Sequence, residues 1–420
     1  MNIISLLASV QAPNGLWSVL INSFHSGIGN FGWTIFLVTL LVKVVTSPLD
    51  FWTKLDSKKQ NLVKQKCAPQ VAKIKKKFGK DQKKVNIQIN SLYKREGMNT
   101  GLSCLGMALH LIVTLVLFFT FFSSLRGNSA YQAIIQYETL YETYESTSIS
   151  SFISKNDEIT EMEITNADEA NNFVEDYFNG QSLYEKYKNN TTETPTPEEE
   201  QLIALYEKYQ SLVNSVNDTA TKAVVNKWDE IKSSWLWIEN IWVADAPVYP
   251  FQSYEEFLKI TKSGGKEYAE YVAQNIDQDS FTSISNIVNS LGGRKYNGFL
   301  ILAVLAAGIT FLSQYISELH GKLKNKKAKQ VVENSMMESL DMTMKIMKFV
   351  MPIIMLVFVL TSTASFGIYI LASNIATIAI GELINLIINK ITHKKQLEVE
   401  SVLEKEMDRL IKKGKVQEKK

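Results

Sequence analysis

Cysteine is scarce in this chain: Cys67 and Cys104 are the only two among 420 residues. Neither sits in a CxxC or a Cys/His cluster, which excludes a disulfide framework and a thiolate metal centre, and two unpaired thiols are expected. Net charge is almost missing as well, since 45 Lys and Arg against 43 Asp and Glu leave +2. The averages, 45% hydrophobic and 21% charged with a mean hydropathy of −0.05, exclude collagen-like and globally disordered chains. They do not exclude a membrane protein, because an average conceals segregation. Catalytic signatures are lacking too. His25, His110, His320 and His393 are scattered, and no HExxH, P-loop, GxSxG or GxGxxG pattern stands in context. No inverted repeat of the kind many secondary transporters carry is visible. The sequence therefore points away from an enzyme and from any bound cofactor.

What the chain does have is long apolar runs. Residues 31–50 carry GWTIFLVTLLVKVVTSPL with Lys43 as the only charge before Asp50, and residues 102–125 carry LSCLGMALHLIVTLVLFFTFFSSL. Residues 298–316, 344–361 and 366–389 complete the set, the last broken only by Glu382. A bilayer span takes about 20 apolar residues in a helix, so the expected fold is an all-α polytopic membrane protein with five spans.

Charge partition orients them. Residues 51–99 hold 14 Lys and Arg against 3 acids, a net of +11, whereas residues 127–297 hold 12 against 28, a net of −16. Residues 317–348 come to +3 and residues 390–420 to +4. Short basic loops stay cytoplasmic. The expected layout is thus an outer N-terminal segment (1–30), a basic cytoplasmic segment (51–99), a large acidic outer insertion (127–297), a cytoplasmic loop (317–343) and a basic cytoplasmic tail (390–420). The first twelve residues resemble a weak signal peptide without a basic n-region, and neither cleavage nor lipidation is expected. Leu16, Trp17, Leu20, Ile21, Phe24 and Ile28 fall on one helical face, as in a helix lying in the outer interface.

Within 51–99 the pattern is a helical hairpin turning at Phe78-Gly79-Lys80-Asp81. Leu55, Leu62, Val63, Val71, Ile74 and Phe78 on one arm face Val85, Ile89, Leu92 and Tyr93 on the other, leaving the lysines solvated. Its charge serves topology alone, or else meets anionic lipid, RNA or an acidic partner. The tail repeats an amphipathic spacing in Val399, Val402, Leu403, Met407, Leu410 and Ile411. In the outer insertion, Pro197 opens a long helix, and Trp235, Trp237 and Trp242 read as an interfacial anchor.

An ionisable group inside a span is costly and by default marks a functional site. Lys43 lies seven residues before Asp50 and is flanked by Thr39, Thr46 and Ser47. It either snorkels to the cytoplasmic boundary or faces a hydrated interior, which the polar stripe favours. Matching groups are Thr310 and Gln314 in the third span, with Asn374 and Glu382 in the fifth. Glu382 is expected at the depth of Lys43, as its charge partner. Seven of twelve methionines fall in 336–355, and Met344, Met347, Met351 and Met355 share one face, suited to varied apolar partners or to ordinary packing.

These runs, with KFGKD, LYKREGMN, ITFLSQYIS and MPIIMLVFVLTSTASFGIYILASN, resemble the YidC-type membrane protein insertases of bacteria, mitochondria and chloroplasts. The resemblance implies five helices around a hydrophilic groove in the bacterial cell membrane, acting as a monomer on nascent membrane proteins. It implies a groove cation, usually arginine, at the position of Lys43. A slide for substrate helices along Tyr369 and the Met face is expected as well. Ribosome, signal recognition particle receptor, Sec translocon and membrane lipids are the implied partners. The chain departs from the family at Gly106 and Ile112, where prolines are common, and at His110, where Gln is common. A small-solute or lipid transporter using the same polar cavity is the alternative, and the basic cytoplasmic hairpin favours the insertase.

Overall fold

The computed structural model describes residues 10–79, 81–98, 100–155, 166–189, 194–292, 295–321 and 338–412. The described residues fold into helices α1 (Leu16–Ile28), α2 (Phe31–Phe78), α3 (Gln82–Arg95), α4 (Thr100–Ser154), α5 (Ala167–Asn189), α6 (Pro197–Ile231), α7 (Tyr254–Gly264), α8 (Lys266–Asn275), α9 (Gln278–Leu291), α10 (Ile301–Gly321), α11 (Glu338–Leu360) and α12 (Ala364–Lys412). Among these residues an isolated bridge between Trp235 and Ile238 is the only β pairing. Two compact units result, one of residues 1–15 and 124–299, the other of residues 16–123 and 300–420.

The second unit holds the apolar runs. Three of its helices, α2, α4 and α12, are long and apolar enough to cross a membrane, and shorter apolar helices cover Ile301–Ile316 and Phe349–Leu360. Large side chains stand exposed along them, including Val45 at 70%, Leu105 at 65% and Val304 at 65%. Each would cost about 2 kcal/mol in water, and lipid removes that cost.

The sequence placed helix ends at the membrane boundaries, and the structure does not. α2 continues through residue 50 into the first arm of the hairpin, and α12 continues through residue 389 into the tail. Lysines set the depth of a helix without interrupting its hydrogen bonds, so charge marks where a span leaves lipid but not where the helix stops. Asn30 caps α2, its side-chain oxygen accepting from the Trp33 amide at 3.1 Å. Gly29, at φ +72°, makes the preceding break. Pro48 sits inside α2 and cannot donate to the carbonyl of Val44; the hydroxyl of Ser47 donates to that oxygen at 2.8 Å instead.

The two arms pack along part of the expected stripe, whereas Leu62 turns to the tail instead. Cys67, Val71, Leu92, Tyr93 and Met98 are buried together, with Val63, Ile74 and Ile89 packed against them, and Asp81 caps α3 by accepting from the Lys84 amide. Burial pushes the Cys67 thiol and the Tyr93 hydroxyl up. Lys66 bridges the arms to Glu96 at 2.8 Å. The tail stripe is already occupied within the chain: Val399, Leu403 and Met407 bury against Leu62 of α2, and Glu406 pairs with Lys73 at 3.5 Å. α1 is partly covered as well. Trp17 packs edge-on to Phe121 and donates to Thr120, whereas Leu16 remains 70% exposed.

The first unit is a helical domain held by packing and by buried amides, without disulfides among its described residues. Its core joins Ile134, Tyr137 and Leu140 of α4, Trp228 of α6, Phe257 of α7, Val272 of α8 and Phe281 of α9. Pro197 stands in the first turn of α6, as expected, behind a capping box of Thr196 and Glu199. The connection from 232 to 253 is knitted by Asn240 and Asn297, both fully buried: the Asn240 amide donates to Asn297 Oδ1 at 2.7 Å and Asn297 donates back to the Asn240 carbonyl at 3.0 Å. The tryptophan anchor is corrected here. Trp235 and Trp242 are 3% and 0% exposed, packed inside their own unit, with Trp242 Nε1 donating to Ser233. Their rings complete a small protein core rather than meeting headgroups.

Candidate functional site

The polar residues of the spans come from three helices of the second unit. Lys43 is half-buried on α2 and Glu382 half-buried on α12, and no ion pair joins them among the described residues. Thr39 is 2% exposed and donates to the Ile35 carbonyl, while Thr46 donates to the Lys43 carbonyl. With Ser47 bonded to Val44, all three hydroxyls of the stripe are answered by their own helix. They thus need no water to be stable, and each keeps lone pairs for another donor.

Two of the expected lining residues meet directly. Asn374 of α12 donates to Thr310 Oγ1 of α10 at 3.0 Å, and Thr310 donates in turn to the Ala306 carbonyl. Gln314, one turn further on, is half-buried. Tyr369 stacks on Phe121 at 4.8 Å between centroids, within a ring cluster that includes Phe118 and Phe366. Met351 and Met355 are half-buried on α11. The side chain of Met347 lies outside the described residues, as does most of the segment 317–343.

The structure adds a cavity of about 550 Å³ that sequence reasoning missed. Lys54, Lys58 and Asn61 of α2, His110 of α4, and Asn385 and Asn389 of α12 line it. Beside it, His110 Nε2 approaches Asp50 Oδ1 to 2.5 Å. The Lys54 ammonium also lies against α12, where a Cβ on Gly381 would stand only 3.0 Å from Nζ. Thr53, Ser57 and Asn61 recur every fourth residue, as do Asn385 and Asn389. That spacing was the available signal. Charge counting assigned these positions to the cytoplasmic segment and hid it. Gly106 matters here for a different reason: a Cβ would stand 2.8 Å from the Trp52 ring, so the glycine lets the indole pack on α4.

Comparison with known proteins finds similarity over part of the chain. Residues 23–165 match the family model described as 60Kd inner membrane protein. This stretch is similar to that family. Similar relatives include the Membrane protein insertase YidC of Pseudomonas fluorescens, 32% identical over 111 residues, which are 26% of this chain and 19% of the relative. The protein of the same name from Buchnera aphidicola is 30% identical over 105 residues, 25% of this chain and 19% of the relative. The chain thus spans about a fifth of the length of the curated relatives it matches. No solved structure matches it. The stretch matched by the family model contains Lys43, Asp50, the hairpin and His110.

Proposed function

We propose that this protein is a membrane protein insertase and chaperone, with five spans, its N-terminus outside and its C-terminus in the cytoplasm. The observation that carries the reading is Lys43, half-buried in an apolar helix inside the stretch that the family model matches. A lone cation there lowers the cost of holding an acidic, outward-going segment of a nascent chain within the membrane. Thr39, Thr46, Ser47, Thr310, Gln314 and Asn374 form the polar lining around it. Glu382 balances the charge across hydrated space rather than by direct contact. The substrate helix then passes along Tyr369, Met347, Met351 and Met355 into lipid, where burial of its apolar surface is favourable.

The cavity lined by Lys54, Lys58 and His110 is the cytoplasmic mouth of this path. The basic hairpin receives the ribosome, and the signal recognition particle receptor, the Sec translocon and membrane lipids are the further partners. The test is reconstitution with a single-span substrate whose short acidic N-terminus must cross. Lys43→Glu is expected to reduce protease-protected product at least tenfold and Lys43→Arg to support insertion. Equal insertion by proteoliposomes with and without the protein overturns the reading.

A further inference from the structure

The cavity lined by α2, α4 and α12 holds positive charge that the chain itself does not answer. It measures about 550 Å³, within the range of roughly 300–1,000 Å³ typical of small-ligand sites. Lys54 and Lys58 line it, and no carboxylate does. Neither ammonium forms an ion pair among the described residues. Of the acids on this stretch of α2, Asp50 is bonded to His110, and Asp56 accepts from Gln60 at 2.7 Å. Burial lowers the Lys58 ammonium from its ordinary value with no carboxylate raising it, and an anion within reach opposes that shift.

Neutral donors stand beside the charge. The amides of Asn61 on α2 and of Asn385 and Asn389 on α12 line the same cavity and make no hydrogen bond among the described residues. Two ammonium groups and three amides suit a phosphate, whose oxygens accept from several directions at once. Met107 and Leu111 of α4 and Ile388 of α12 add apolar lining, which a free ion does not need and the glycerol and acyl ends of a lipid do. Outside the cavity, Leu105, Leu109 and Leu386 are 65%, 48% and 67% exposed, apolar surface along which acyl chains can lie. Lys54 comes four residues after Asp50, where the apolar run of α2 ends. At the helical rise this is roughly 6 Å, within a headgroup zone that extends roughly 5–8 Å beyond the hydrocarbon on each side.

We propose that this cavity binds the phosphate group of an anionic phospholipid, with Lys54 and Lys58 as its counter-charges and the three asparagine amides as further donors. The inference rests on the cavity and not on the insertase reading, so it is tested without nascent chain or ribosome. Free phosphate presents the same chemistry without the acyl chains, and an acidic polypeptide is the competing occupant.

The test is equilibrium binding of a phosphatidylglycerol with a fluorescent acyl tail to the full-length protein in neutral detergent at low salt. Saturable binding is expected, weakened about tenfold by Lys54→Gln and Lys58→Gln together and retained when both become arginine. Lys394→Gln and Lys395→Gln together remove the same charge from exposed positions of α12 outside the cavity, and affinity is expected to stay unchanged. Displacement by millimolar inorganic phosphate assigns the phosphate group alone as the ligand, and resistance to it assigns the whole lipid. No saturable binding, equal competition by phosphatidylcholine and phosphatidylglycerol, or equal loss in both glutamine pairs overturns the proposal. Stronger displacement by a glutamate-rich peptide than by unlabelled phosphatidylglycerol overturns it too.

Discussion

His110 Nε2 stands 2.5 Å from Asp50 Oδ1, tying α4 to α2 where the apolar run of α2 gives way to the basic hairpin. Both side chains are about one-third exposed at the edge of the cavity that holds Lys54 and Lys58. Glutamine at position 110 keeps a side-chain N–H for Asp50, so His110→Gln is expected to retain insertion and thermal stability. His110→Leu removes the donor and is expected to destabilise by about 1–3 kcal/mol, the range for stranding a partly buried charged acceptor. Thermal unfolding in detergent reads the difference, and identical melting of the Gln and Leu variants would refute the role.

Ser47 offers a second test inside the same helix. Its hydroxyl answers the Val44 carbonyl that Pro48 leaves without a helical donor. Ser47→Ala is expected to cost about 1 kcal/mol, because it removes the donor that answers the Val44 carbonyl. Ser47→Thr restores the hydroxyl and is expected to rescue. If the alanine variant matches the parent in thermal unfolding, Ser47 is not the substitute donor.

α5 and α6 cross where α5 has no side chain. A Cβ at Gly180 would fall 2.1 Å from the Leu202 carbonyl oxygen, a backbone atom that cannot step aside. Gly180→Ala must separate the helices and is expected to destabilise by about 1–3 kcal/mol. Hydrogen exchange of the full-length protein should show faster amides in α5 and α6 with α9 little changed. Unaltered protection would mean the crossing is looser than its geometry.

The hairpin shows how far the sequence carried. Val71 with Ile74, and Ile89 with Leu92, were legible as mating stripes because helical periodicity is a local property of the chain. Pro197 announced α6 for the same reason. The Asp50–His110 pair, the Lys54–Gly381 approach and the enclosure of Trp242 were not legible, since each depends on helices far apart in sequence arriving side by side. Lys43 was visible as an ionisable group within an apolar run. Ser47 was legible as a polar neighbour of Lys43, but its bond to the Val44 carbonyl could be read only once that oxygen had coordinates.

Lys66 and Glu96 link the hairpin arms at 2.8 Å. The hydrogen bond from Lys66 holds the Glu96 carboxyl below the usual carboxylate range, and the same bond raises Lys66. A lowered carboxyl contributes stability that is full above its unfolded value and disappears as pH falls through its folded value. The Lys66 side chain is 47% exposed, so the link is worth only about 0.2–1 kcal/mol. Glu96→Gln is expected to speed amide exchange in α3 modestly at neutral pH and to make no difference in strong acid. A loss persisting in acid would assign the effect to packing instead.

Glu138 behaves in the opposite sense. It is 7% exposed, accepts from the Tyr271 hydroxyl at 2.5 Å through one oxygen, and has no hydrogen-bond partner for the other among the described residues. Burial raises its carboxyl above the ordinary value of 4.5, the Tyr271 bond only partly opposing it. Between the unfolded and folded values the native state binds more protons than the unfolded chain, so this group's contribution to stability falls as pH rises through that window. Glu138→Gln keeps an oxygen for Tyr271 and removes the buried charge. It is therefore expected to equal or exceed the parent in stability at neutral pH and to abolish this part of the pH slope. Exchange rates of the α4 and α8 amides, measured on both proteins from mildly acidic to neutral pH, should diverge as pH rises. Parallel profiles would show that Glu138 is as readily ionised in the folded unit as in the unfolded chain.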